Sequence, residues 1–197
     1  MYLYGVLATA CTFALGHFAA RGCVRYTSLS VPALCIAFTS AILGTVLIAH
    51  DRSIEGVCGA IVLAACACAS ATDICTGYIF DLPTVASLCV AAVLQYAGGH
   101  GLDATAGAVL CVTLLGAIWV LTQGRGIGLG DVKLASVIGC GLGFSASLHA
   151  LQIAFVAGGA VAAWKLLLGR GRRGDTMPFG PYLAGGAACL SIAGMLR

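Results

Sequence analysis

The chain has 197 residues, 60% of them hydrophobic and 9% charged, with a mean hydropathy of +1.04 and a net charge of +3. Soluble domains carry roughly 25% charged residues, so this composition excludes that class, and so small a positive excess gives no basis for nucleic-acid binding. The weak alternating pattern of a membrane barrel is also absent, which leaves an all-α integral membrane protein.

Taken in chain order, the first apolar run covers about 2–20. It has no basic residue ahead of it, and Arg21 and Arg25 follow it. That is the reverse of a signal peptide's charge order, so a retained span is expected. Further runs follow at about 31–49, 54–72, 82–98, 103–122, 131–146, 148–168 and 179–196. Each is near the ~20 residues that cross a bilayer core. The expected architecture is a polytopic helix bundle of about eight transmembrane helices, forming one membrane-embedded domain over residues 1–197. The sixth and seventh runs are separated near Ser145–His149, because fused they would be longer than one crossing needs. Small residues recur at helical spacing, as at Gly139 and Gly143, and let neighbouring backbones approach.

The loops orient this bundle. Alternate loops hold Arg21 and Arg25, then Arg125 and Lys133, then Lys165, Arg170, Arg172 and Arg173, against Arg52 and Arg197 on the other side. The ten basic residues thus divide eight to two, which makes the rich side cytoplasmic and both termini outward. Most of the eleven cysteines lie within apolar runs, and no C-x-x-C pair occurs, so they read as small packing residues. The histidines, His17, His50, His100 and His149, are scattered over different span ends. No metal site and no cofactor are expected.

Seven acids remain to be placed. Asp51, Glu55 and Asp103 fall near outer span ends and read as caps or solvated charges, and Asp175 lies among arginines. Asp73, Asp81 and Asp131 all fall on the cytoplasmic side, because two crossings separate the loop around 73–81 from the one around 123–131. Taken singly, Asp131 could cap a helix with Lys133 snorkelling to the interface, and Asp73 could be a helix-end residue. Acids at membrane depth are costly, however, and suggest function when a partner is available. Two facing carboxylates share one proton. The ionised member can then activate a water while the protonated member donates to a carbonyl oxygen. Gly128 and Gly130, just ahead of Asp131, would let an extended substrate backbone come close.

Three segments together resemble the type IV prepilin peptidases, membrane aspartic proteases of the G-x-G-D class. They are "DICTGYIFDLPT" from Asp73, "GLGDVKL" from Gly128 to Leu134, and "PFGPYLA" from Pro178 to Ala184. The likeness covers roughly 70–197. It implies Asp73 and Asp131 as the catalytic pair and Asp81 at the less critical acidic or amide position of the first motif. Gly128, Gly130, Lys133, Pro178, Phe179, Gly180 and Pro181 are implied as motif support. The implied reaction removes a short basic leader from prepilins or secretion pseudopilins at the cytoplasmic face of the bacterial inner membrane. The cut follows a glycine just before the substrate's hydrophobic helix.

Two features depart from the family pattern. Phe80 stands where the first motif usually has proline, with Pro83 three residues later. The loop after the first span, "ARGCVRYTSLS", is short and has one cysteine, Cys23, where many relatives carry a zinc-binding insert. No zinc is expected, and N-methylation of the new terminus is not expected either. The basic loop Arg170–Arg173 lies on the side where a basic leader must dock and should repel it, and lipid headgroups are the alternative partner for it. Alternative readings are an ion-coupled transporter or channel, a non-catalytic pilus or secretion assembly subunit, and a related flagellin or intramembrane G-x-G-D protease. Acids near mid-span would favour the transporter. The sequence carries no signal for oligomeric state.

Overall fold

The computed structural model describes residues 54–169 and 178–195. The first two expected spans, Cys23 with its loop, and Arg170–Arg173 lie outside the described residues. Within them the fold is all helical: α1 (Ile54–Thr76), α2 (Asp81–Ala97), α3 (Gly101–Leu121), α4 (Leu129–Leu167) and α5 (Gly180–Met195).

Helix boundaries follow local chemistry. α1 stops at Gly77, whose φ of 68° is the left-handed conformation that closes helices and whose N–H returns to the Asp73 carbonyl at 2.8 Å. Between α1 and α2 the chain runs extended, with Phe80 at φ −73° and ψ 134°. That φ lies in the range a proline ring enforces, so phenylalanine keeps the backbone path expected of proline at this point. Asp81 opens α2 beside the positive helix end, and Pro83 falls in the first turn, where a missing N–H costs no helical bond.

α3 buries a narrow stripe, Ala104, Gly107, Cys111 and Leu115, while Leu102, Val109, Val120 and Leu121 stay exposed. A helix apolar on both faces suits a bundle surrounded by lipid. The buried stripe packs on α4 at a glycine pair, Gly107 against Gly139, where a side chain on either partner would run into backbone. The expectation that small residues allow close approach holds here. The shared core joins Val62, Cys66 and Ala69 of α1 to Leu134 and Ile138 of α4 and Leu183 of α5. Cys58, Cys66, Cys68, Cys89, Cys111, Cys140 and Cys189 are free, five of them buried, which agrees with their reading as packing residues.

α4 is not straight. At Gly143 the backbone takes φ 78° and ψ −179°, and the chain doubles back. On one side of this point Gly141 lies against Val62 and the Cys58 carbonyl of α1. On the other, Ala150 faces Gly186, and Gly158 packs on Phe179 and Tyr182 at the start of α5. Two polar side chains hold the turn. Asp103 accepts the Phe144 N–H at 3.3 Å, and buried Gln95 donates to the Gly141 carbonyl at 2.9 Å. The expected break near Ser145–His149 is therefore corrected to Gly143, although the reading of two antiparallel segments stands.

Two described helices, α3 and α4, are long and apolar enough to cross a membrane. The apolar parts of α1 and α2, Ile54–Ser70 and Asp81–Ala97, are shorter. The expected total of about eight crossings reduces, among the described residues, to five helices with α4 folded on itself.

Candidate active site

Among the described residues, the bundle gathers its acidic side chains at two ends. One end holds Glu55, His100, Asp103 and the α4 turn, with Glu55 and His100 3.8 Å apart. A cavity of about 240 Å³ lies there, lined by Gln95, Asp103 and Ser191 among others, and neither Asp73 nor Asp131 borders it. The opposite end holds the end of α1, the extended link, and the starts of α2, α4 and α5. Asp73, Asp81, Asp131 and Gly180 all meet at this end, as the count of crossings requires for the three acids.

Asp131 is the third residue of α4. Its Oδ2 reaches back to accept the Gly128 N–H at 3.2 Å, satisfying a backbone donor the helix leaves open. The residue is only 8% exposed, and its Oδ1 is buried with no hydrogen-bond partner among the described residues. A solvated cap would leave that second oxygen in water. An acceptor buried without a partner costs about 1–3 kcal/mol, more when charged, so capping alone does not account for this side chain.

Asp73 lies one turn before the end of α1, beyond its apolar stretch. Half-buried, it accepts the Gly180 N–H through Oδ2 at 3.1 Å. Gly180 is the first residue of α5, so the carboxylate faces the positive end of that helix. Burial pushes the Asp73 carboxyl up from the ordinary aspartate range, and the Gly180 N–H pulls it partly back. The two carboxylates are close enough for the charge of Asp73 to act on Asp131.

The remaining motif residues fall around this pair. Phe179 packs at a tilt between Phe155 and Tyr182, at centroid distances of 5.2 and 6.3 Å, and so fixes the entry into α5. Pro178 is exposed and Pro181 sits in the first turn of α5. The two glycines differ. Space beside Gly128 is open apart from its own Asp131, whereas a side chain at Gly130 would come within 2.8 Å of the Ile79 Cβ. Gly130 thus packs against the extended link, a use that the expected approach of a substrate backbone did not include. Lys133 Nζ donates to Asp81 Oδ1 at 2.6 Å, a partner that the snorkelling reading did not include.

Sequence reasoning missed Ile79, Gln95 and the structural use of Asp103. A glutamine inside an apolar run was the available signal for Gln95. Among the described residues no group of His, Cys, Asp and Glu could hold a metal ion.

A family profile described as the type IV leader peptidase family matches residues 60–163, more than half of the chain. Curated relatives named prepilin leader peptidase/N-methyltransferase, from Burkholderia pseudomallei strains 1026b and K96243, are each 39% identical over 131 residues. Those matches cover 61% of this chain and 41% of each relative, so the chain spans well under half of their length. A relative of the same name from Aeromonas hydrophila is 34% identical over 87 residues, covering 44% of this chain and 30% of the relative. No solved structure matches.

Proposed function

This chain belongs to the type IV leader peptidase family, and on that premise we propose that it is a membrane aspartic endopeptidase with Asp73 and Asp131 as its catalytic pair. The observation that carries the reading is the arrangement of these two carboxylates. They come from different helices, meet at one end of the bundle, and are each held by the N–H of a motif glycine, Gly180 or Gly128.

Held in this way, each carboxylate keeps one oxygen fixed and leaves the other for chemistry. Two such groups titrate as a unit and retain one proton between them. The ionised member accepts a proton from a water as it attacks the scissile carbonyl, and the protonated member donates to the carbonyl oxygen. When the tetrahedral intermediate collapses, the proton taken from water passes to the leaving nitrogen. The C–N bond breaks as a hydroxyl of the intermediate returns its proton to the other carboxylate and the carbonyl reforms, and the pair returns to its starting state. Both aspartates sit near helix ends rather than at mid-span, which suits a substrate arriving at the membrane surface better than an ion path through the bundle.

The substrate class is a prepilin or pseudopilin with a short basic leader, cut after a glycine ahead of its apolar helix. The site faces the cytoplasm from the bacterial inner membrane, with lipid around the exposed faces of α3 and α4. Arg125, Lys133 and Lys165 support this orientation, since they lie toward the Asp73 end. Methyl transfer, which the relatives' names include, forms no part of the proposal.

Co-expression with a prepilin tests the reading. A faster-migrating product is expected with the native chain and should disappear in both Asp73→Asn and Asp131→Asn. Cleavage that persists in one variant removes that residue from the pair, and persistence in both removes the proposal.

A further inference from the structure

The site pair is carried on two segments that have no covalent reason to stay in register. Asp73 precedes the extended link 77–80, and Asp131 lies in the first turn of α4. Two contacts tie that link to that turn. Ile79 occupies the space where Gly130 has no side chain. Asp81, at the other end of Phe80, binds Lys133 at 2.6 Å. Gly130 and Lys133 are three residues apart on α4 and so share one face. Asp131 falls between them in sequence.

The Asp81–Lys133 pair is too exposed to matter much for folding. Its side chains are 66% and 44% accessible, and exposed pairs of this kind contribute little to stability. Its consequence is geometric instead. A second tie, next to the Ile79–Gly130 contact, stops the first turn of α4 from pivoting on a single point. Reaction rates respond steeply to such freedom, because a misplacement of about 1 Å can cost roughly 100-fold.

We infer that Asp81 and Lys133 are positioning residues: their ion pair fixes the first turn of α4 against the extended link and thereby sets the separation of Asp73 from Asp131. Neither residue touches the reacting atoms. This rests on the peptidase reading above. It makes the pair's charge complementarity the requirement, irrespective of which segment carries which sign.

The test uses the full chain purified in detergent and a prepilin as substrate, with the native protein and the Asp73→Asn and Asp131→Asn variants as references. Asp81→Ala and Lys133→Ala should each lower kcat about fivefold, with KM within twofold of native and thermal unfolding unchanged. The reversed pair, Asp81→Lys with Lys133→Asp, should recover most of the lost kcat. The two single variants should also shift the pH profile of kcat, because a changed carboxylate separation changes how the proton is shared.

Three outcomes would overturn the inference while leaving the peptidase reading intact. The first is native kcat in both single variants. The second is an effect confined to KM, which would make Asp81 a docking group for the basic leader. The third is a reversed pair no better than the singles. If instead the native chain does not cleave, or cleaves equally well without Asp73 and Asp131, the underlying reading fails and the ion pair has no reaction to position.

Discussion

The two oxygens of Asp131 have different surroundings. One ends the exposed backbone at the start of α4, while the other is buried without a partner. Asp73 is fixed in a matching way by the Gly180 N–H. The absence of a side chain at Gly180 matters as much as its N–H. An added Cβ would stand 3.0 Å from Asp73 Oδ2, tighter than ordinary packing allows. Gly180→Ala keeps the N–H and improves helix propensity, so α5 should be no less stable. The carboxylate, however, must move by a few tenths of an ångström. Leader cleavage by Gly180→Ala is expected to slow about tenfold with thermal unfolding unchanged. Equal loss of stability and rate would assign Gly180 to packing instead. None of this was readable from residue order, since Gly180 and Asp73 are 107 positions apart. The motif "PFGP" marked the place but not its partner.

At the scale of helices, the reversal of α4 brings its second half back beside α5 and the start of that helix to Asp73. Its conformation depends on one residue. A non-glycine residue at a left-handed φ costs about 1–2 kcal/mol. At Gly143 a side chain would also strike Asp103, the acceptor that holds Phe144. Gly143→Ala should therefore destabilise the chain by about 2 kcal/mol or more, measured as a lower detergent midpoint for unfolding. A midpoint equal to that of the native chain would show that the turn is not under this constraint. The apolar runs of α1, α2, α3 and α5 were legible because length and hydrophobicity alone define them. The position of the break in α4 was not. It is set by Gly143 together with Asp103, 41 residues before Phe144, and by Gln95 bonding across to Gly141. Hydropathy places a boundary where polar residues cluster, near Ser145–His149, and has no access to such distant partners. The same limit hid the Lys133–Asp81 pair, whose members are 52 positions apart.

Over the whole molecule, the bundle separates one polar end from another, and only one of them brings together Asp73 and Asp131. Counting crossings was enough to put those two acids at one end, because parity does not depend on where a helix bends. Their mutual approach is a finer matter, governed by the packing of α1, α4 and α5 around a common core. The proposed cleavage depends on the pair acting as one acid–base unit. At low pH both carboxylates carry protons and no base remains. At high pH both are ionised and no acid remains, and burial of Asp73 carries this upper limb above the ordinary aspartate range. The most direct test is the rate at which the purified chain cleaves a prepilin across about pH 4 to 9. A bell-shaped profile is predicted for the native chain, with no cleavage at any pH by Asp73→Asn or Asp131→Asn. A flat profile, or a substantial rate in either variant, would contradict it.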